Sequence, residues 1–219
     1  MINPRARRIE WLAWVGVLLV TTTLLLAFLL AQLKMRARLG RPLPLYGQVA
    51  DFTLTNQNGR AISLADLRGQ VWVADVIFTR CPGLCLQMTR QMKELQQALH
   101  AASSAKLISL TTDPDFDTPP VLKIYAERFQ ADTNRWMFLT GPKPDLARLA
   151  VGSLKLAASE NKPDERQSPE DLFTHASLFV VVDQRGRLRG WFETVGQDVN
   201  PQKAKGDILA FVRRLERER

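Results

Sequence analysis

Val71-Trp72-Val73-Ala74-Asp75-Val76-Ile77-Phe78-Thr79-Arg80-Cys81-Pro82-Gly83-Leu84-Cys85 is the stretch on which the reading of this chain turns. Its first eight residues are mostly apolar and rich in β-branched and aromatic side chains, the pattern of a central strand buried on both faces. The segment after it, Leu86 to Leu99, carries Met88, Met92, Leu95 and Leu99 at helical spacing, which reads as a core stripe rather than a methionine copper array. Cys81 and Cys85 are the only cysteines in 219 residues, and they stand at this strand-to-helix junction. Positions three and four apart share a helix face, so the spacing predicts two sulfurs projecting to one side of a first helical turn. The unpaired N–H groups and dipole of the helix N-terminus are expected to favour the deprotonated sulfur. Two soft ligands or a redox dithiol suit that place. A structural staple suits it less, because a disulfide across so short a loop adds little stability.

Working outward, Lys106 to Leu110 reads as a second strand, and Thr118-Pro119 as a helix N-cap followed by proline at the first helical position. That helix would bury Val121, Leu122, Tyr125 and Phe129; Trp136 to Leu139 reads as a short strand and Asp145 to Leu156 as a further helix. Ser159 to Asp171, charged and proline-containing, reads as a surface loop, and Ala176 to Asp183 as a strong strand. Gln184-Arg185-Gly186 turns into Leu188 to Phe192, and Ile208, Phe211, Val212 and Leu215 mark a closing amphipathic helix. Upstream, Phe52 to Leu54 and Ala61 to Leu64 flank Asn56-Gln57-Asn58-Gly59, a hairpin signal. Strands alternating with helices predict an α/β fold, a central mixed sheet flanked by helices. A dithiol at the first strand-to-helix junction is the thioredoxin-like arrangement, here with three intervening residues where redox thioredoxins have two.

The N-terminal region is of another kind. Trp11 to Leu33 holds no charged residue, long enough to cross a bilayer as a helix. It exceeds the apolar core of a cleaved signal peptide and ends in Lys34-Met35-Arg36-Ala37-Arg38, a poor cleavage context. The expected organisation is a cytoplasmic N-terminus (1–10), a transmembrane anchor (11–33), a tether (34–46) and a thioredoxin-like domain (47–219). The net charge of +8 is concentrated here, since residues 1–41 carry seven basic residues and one Glu while the remainder is nearly balanced. Such basicity suits headgroups flanking a span and gives nucleic-acid binding little support. Arg5, Arg7 and Arg8 before the span are matched by Lys34, Arg36, Arg38 and Arg41 after it, so charge alone does not orient the helix. Without an amphipathic Arg/Ser-rich presequence the chain reads as bacterial rather than mitochondrial.

There are two histidines. His100 ends the helix after the cysteines and is assigned no role. His175 precedes the strand 176–183 and could fold back beside the cysteine loop, giving a site of two thiolates and one imidazole. Soft thiolate selects Cu(I), imidazole suits Cu(II) and zinc as well, and structural zinc ordinarily takes four protein ligands, with no fourth evident. A hydrogen-bonded histidine at a strand edge is the other reading.

Phe78-Thr79-Arg80-Cys81-Pro82-x-x-Cys85, Thr112-Asp113-Pro114-x-x-Asp117-Thr118-Pro119, Leu139-Thr140-Gly141 and Thr174-His175-x-Ser177 occur in that order. Together they resemble the Sco/SenC family of membrane-anchored, thioredoxin-like copper proteins that assemble cytochrome c oxidase, over about residues 47–217. The resemblance implies copper as the bound metal, with Cys81, Cys85 and His175 as ligands and the segment Asp113 to Pro119 supporting the fold nearby. It implies a copper-accepting oxidase subunit as partner, with a thiol reductant or another copper chaperone as further partners, and a bacterial inner-membrane location with the domain on the outer face. Gly83, Leu86 and Thr174 depart from the family's pattern, where an acidic residue, a proline and an aspartate are common; lost acidic groups remove charge that would favour a cation.

Two functions follow from one site. The first is a copper chaperone delivering its ion to the oxidase by ligand exchange. The alternative is a thiol–disulfide oxidoreductase, with Cys81 and Cys85 as the redox dithiol, keeping the oxidase's copper-site cysteines reduced. No proline lies within four residues of His175, unlike the cis-proline opposite a thioredoxin dithiol, which favours metal. A third reading, peroxidase-like chemistry, would need Thr79 and Arg80 free to polarise a peroxide beside Cys81.

Overall fold

A computed structural model describes residues 4–39, 43–81, 83–99, 103–156, 158–160, 173–175, 177–196 and 198–218. The chain divides into two compact units, Met1–Leu43 and Pro44–Arg219. In the first, α1 (Pro4–Leu39) is one continuous helix, and its stretch Trp14–Lys34 is long and apolar enough to cross a membrane. Its three threonines are satisfied within the helix: Thr21 and Thr22 donate to the Leu18 carbonyl at 3.0 and 2.8 Å, and Thr23 to that of Leu19 at 2.6 Å. Hydrocarbon demands that internal pairing.

In the second unit the elements run β1 (Gly47–Gln48), β2 (Thr53–Asn56), β3 (Ala61–Ser63), α2 (Leu64–Leu67), β4 (Trp72–Ile77), α3 (Leu84–Ala98), β5 (Lys106–Thr111), α4 (Pro119–Arg128), β6 (Trp136–Thr140) and α5 (Lys143–Ala147). A π-helical segment (Arg148–Ser153) and β7 (Ala158–Glu160), β8 (Phe173–His175), β9 (Leu178–Val182), β10 (Arg187–Glu193) and α6 (Pro201–Arg217) complete it. The main sheet has the order β1-β10-β9-β4-β5-β6-β2-β3, with β7 and β8 paired as a separate ribbon. β4, β5 and β6 run parallel, while β9 beside β4 and β2 beside β6 are antiparallel. The expected mixed sheet with β4 at its centre is therefore observed, and every residue of β4 is buried.

Alternation along the strands divides the core into two layers. Trp72, Ala74, Val76, Ile108, Leu110, Val180 and Val182 face α2, α5 and the π-helical segment through Leu64, Leu67, Leu146 and Leu149. The opposite face meets α3, α4 and α6, which bury Met88, Met92, Leu95, Leu122, Tyr125, Ile208, Val212 and Leu215. Each such large side chain removed from water stabilises the fold by about 1.5–3 kcal/mol. Met88 and Met92 are wholly buried, as the core reading required.

Several boundaries moved. α3 begins at Leu84 with Gly83 as its N-cap, so Cys85 lies in its first turn and Cys81 lies before it. The predicted helix 145–156 starts earlier, where Pro144 suits a first turn, and then widens into the π-helical segment. Ser159 and Glu160, expected in a loop, belong to β7, which pairs with β8 in the register Ala158↔His175. A short polar ribbon offers no apolar alternation by which to recognise it. Residues 161–171 of that loop lie outside the described residues.

Candidate functional site

β4 ends at Ile77 and delivers Phe78-Thr79-Arg80-Cys81 to the carboxyl edge of the parallel strands. A turn follows, in which Cys81 N–H donates to the Phe78 carbonyl at 3.2 Å. Both cysteines are free thiols; Cys81 is partly exposed and Cys85 is buried. The Cys85 thiol donates to Cys81, and that bond pushes its pKa far up, with burial, the charge of a Cys81 thiolate and Asp75 adding to it; the Phe78 N–H works the other way. The helix-terminus expectation is thus reversed for Cys85. The neighbouring sulfur and burial raise the Cys85 thiol despite its place in the first turn of α3.

The loop after β5 fastens this turn from the side. Asp117 is fully buried and accepts hydrogen bonds from Thr79 N–H at 3.1 Å, from the Thr79 hydroxyl, and from the Thr111 hydroxyl at 2.5 Å. Burial raises its carboxyl above the ordinary value, the three donors opposing and the nearby Asp113 assisting. Asp113 itself accepts the Arg80 guanidinium in an ion pair, and its N–H donates to Thr111 Oγ1 at 3.0 Å. Arg80 also lies over the Phe116 ring, 4.2 Å from the centroid. The two residues preceding Cys81 are therefore each held by one carboxylate of the Asp113–Asp117 loop. Of the two groups a peroxidase-like reading would need, the Thr79 hydroxyl is engaged by Asp117, while Arg80 is tied to Asp113 through Nη2 and remains partly exposed.

Beneath the cysteines lies a buried polar cluster that sequence reasoning did not find. Thr89 Oγ1 donates to the Cys85 carbonyl at 2.8 Å and lies 2.9 Å from the Tyr125 hydroxyl. Burial pushes the Tyr125 pKa up, Thr89 opposing, with Cys85, Asp75 and Cys81 adding to the rise. Asp75, wholly buried within β4, acts on both Cys85 and Tyr125. One signal was available: a carboxylate in a strand otherwise apolar on both faces.

His175 is the last residue of β8, its backbone paired with Ala158. Its side chain lies outside the described residues, as do Pro82 and His100. The structure brings Cys81 and Cys85 together; among the described residues, no group of three or more His, Cys, Asp and Glu side chains forms a metal cluster.

A family model described as SCO1/SenC matches residues 45–212. The chain belongs to the SCO1/SenC family. A SCO1 protein homolog of Bacillus subtilis (strain 168) is 37% identical over 147 residues, spanning 66% of this chain and 73% of the relative. The solved structure of BsSco, a member of the Sco family of cytochrome c oxidase assembly proteins in which a disulfide switch was identified, is 31% identical with a TM-score of 0.67. That match covers 82% of this chain and 98% of BsSco. Copper-bound ScoI of Bradyrhizobium japonicum shares the fold at 23% identity and a TM-score of 0.62, over 77% of this chain and 99% of its own. As a Sco protein the chain has the thioredoxin-like fold expected of it, with Cys81 and Cys85 at the β4–α3 junction described above.

Proposed function

We propose that this Sco protein is a membrane-anchored copper chaperone in which Cys81, Cys85 and His175 hold the ion and pass it to a copper-accepting subunit of cytochrome c oxidase. The observation that carries the reading is the pair of unbridged cysteines four residues apart at the β4–α3 junction, one buried and one partly exposed. The donor set fits copper: two soft sulfurs lie within reach of each other, and both must lose protons when a metal binds. A Stutzerimonas stutzeri relative named for copper binding, 30% identical over 152 residues, supports the same assignment. A three-ligand site suits transfer, because an incoming ligand can attack without breaking a closed tetrahedral shell. The apolar stretch of α1 would hold residues 47–219 at the outer face of a bacterial inner membrane, with the N-terminus in the cytoplasm.

A thiol–disulfide oxidoreductase acting on the oxidase's copper-site cysteines is the second reading. The unequal burial of the two cysteines favours it specifically: Cys81 is the sulfur a partner can reach, and Cys85 is the buried one that would close the disulfide.

Titration of the reduced protein with Cu(II), read by visible absorption, separates them. The expected result is a one-to-one complex with thiolate-to-copper charge-transfer bands, absent from Cys81→Ser/Cys85→Ser. His175→Ala should weaken Cu(II) binding greatly while leaving dithiol oxidation intact; unchanged affinity would remove His175 from the ligand set. Free thiols with no stable complex of Cu(I) or Cu(II) would transfer the function to the oxidoreductase reading.

A further inference from the structure

Arg80 is the residue beside the reactive sulfur that the copper and redox readings leave unused. Three observations make it more than a solvated side chain. Its guanidinium is immobilised, ion-paired to an Asp113 carboxylate whose side chain is 8% exposed and laid across Phe116 at 4.2 Å. Asp113 and Phe116 are themselves braced, since the Phe116 and Asp117 N–H groups both donate to the Asp113 carbonyl, at 3.1 and 2.8 Å. Yet the Arg80 side chain remains 45% exposed, so the pair turns its positive end to solvent and its negative end inward.

The surroundings give that charge its meaning. Among the described residues next to Cys81 on the chain, Gly83, Leu84, Leu86 and Gln87 are exposed or half-buried and carry no charge. The exposed Asp115 in the neighbouring loop is paired with Lys143 at 2.6 Å. Cys85 is buried, so an external nucleophile reaches the disulfide of the oxidised protein at Cys81, immediately after Arg80 in the chain. A planar guanidinium held by Asp113 through Nη2 and still 45% exposed is the kind of group that recognises a carboxylate.

We propose that Arg80 is the specificity-determining residue of the exchange face, its immobilised guanidinium selecting thiol partners that present a carboxylate beside the reacting sulfur. The partner class is thus the thiol reductant that regenerates the dithiol after it has reduced its target, its cysteine set in an acidic surface. The inference rests on the dithiol reading of the same site. In the step itself a partner thiolate attacks Cys81 Sγ, the Cys81–Cys85 bond breaks, and Cys85 leaves as a thiolate that takes a proton from solvent. A second partner thiol then attacks the mixed disulfide. Two partner thiols are oxidised to one disulfide as the protein disulfide is reduced to two thiols.

Small thiols of opposite charge provide the test. The full-length protein in mild detergent is oxidised, and second-order reduction rates are measured with glutathione, which carries net negative charge beside its thiol, and with cysteamine, which carries an ammonium. Taking the ratio of the two rates in each variant cancels the intrinsic reactivity of the reagents. With the charges about 7 Å apart in water-like dielectric, each unit of charge is expected to change the rate roughly two- to threefold. Arg80→Gln should therefore lower the glutathione-to-cysteamine ratio roughly fivefold and Arg80→Glu further, while Arg80→Lys retains most of it. Raising salt to about 0.5 M should bring the unsubstituted protein towards the Arg80→Gln ratio. A ratio unaffected by Arg80→Glu would overturn the inference alone. An oxidised protein that reacts with neither thiol would overturn it together with the dithiol reading.

Discussion

Asp117→Ala is the substitution whose consequence the structure sets most closely. The carboxylate is fully buried and receives three donors, the Thr79 N–H at 3.1 Å, the Thr79 hydroxyl and the Thr111 hydroxyl at 2.5 Å. Bonds to an ionised acceptor are worth about 1.5–3 kcal/mol each, and a stranded buried donor costs about 1–3 kcal/mol. The two hydroxyls can rotate to other acceptors, whereas the Thr79 amide cannot, and removing a buried carboxylate relieves its desolvation. The net expectation is a loss of about 3 kcal/mol, a fall in Tm of roughly 6–12 °C for a domain of this size. Asp117→Asn, which keeps the shape and an acceptor for the amide, should cost about 1 kcal/mol. The pH dependence has a definite sign. Burial raises the folded-state pKa of Asp117 above 3.8, so its contribution is greatest below that value and declines as pH rises through the folded pKa. The gap between the unsubstituted protein and Asp117→Asn should therefore be wider near pH 4 than at pH 7. Urea unfolding in mild detergent, followed by the fluorescence of buried Trp72 and Trp136, measures both quantities. An Asp117→Ala protein within about 0.5 kcal/mol of the original would show that the cysteine turn is not fastened through this carboxylate.

The other stability predictions concern the hairpin end of the domain. Arg189, 3% exposed, donates to the Pro44 carbonyl at 2.6 Å and pairs with Asp183 at 2.7 Å and Glu218 at 2.6 Å. Arg189→Ala takes a buried cation from Asp183, which keeps its pair with Arg187, and from the partly exposed Glu218, and should cost about 2–3 kcal/mol in urea unfolding; a cost under about 1 kcal/mol would contradict the buried network. Burial opposes but the Arg187 and Arg189 bonds prevail in lowering the Asp183 pKa below 3.8, so its contribution is present above that value and lost as pH falls through the folded pKa. The deficit of Asp183→Asn should accordingly shrink on acidification, opposite in sign to Asp117→Asn. Gly186 and Gly59 both have φ of +75°, but an added Cβ at Gly186 would meet Gln48 Nε2 at 3.2 Å and Leu64 Cδ1 at 3.3 Å, while at Gly59 it meets nothing within 4 Å. Thermal melts should rank Gly186→Ala, at about 2 kcal/mol, below Gly59→Ala, at about 1 kcal/mol; equal melting points would refute the packing part of the argument.

Local patterns carried much of this protein. The run Val71 to Phe78 identified the central strand because a segment buried on both faces must be apolar throughout. Asn56 to Gly59 identified the β2–β3 hairpin through a turn needing positive φ at Gly59, and Ile208, Val212 and Leu215 showed which side of α6 is buried. The cysteine motif and the Asp113–Asp117 segment were legible as residues of interest. Their relation was not, because the contacts between them join positions 33 and 38 residues apart in the chain, and no periodicity encodes such a distance. The protonation preference of Cys85 was likewise read wrongly from local structure. The bond to Cys81 follows from a spacing the sequence already showed, but burial beneath the sheet edge and the approach of Asp75 arise only when β4 and α3 pack. Sequence alone therefore determined which residue types meet at the strand-to-helix junction. Tertiary structure decided which sulfur faces solvent, which carboxylate fastens the turn and which way Arg80 presents its charge, because those are consequences of desolvation and of contacts between segments distant in the chain.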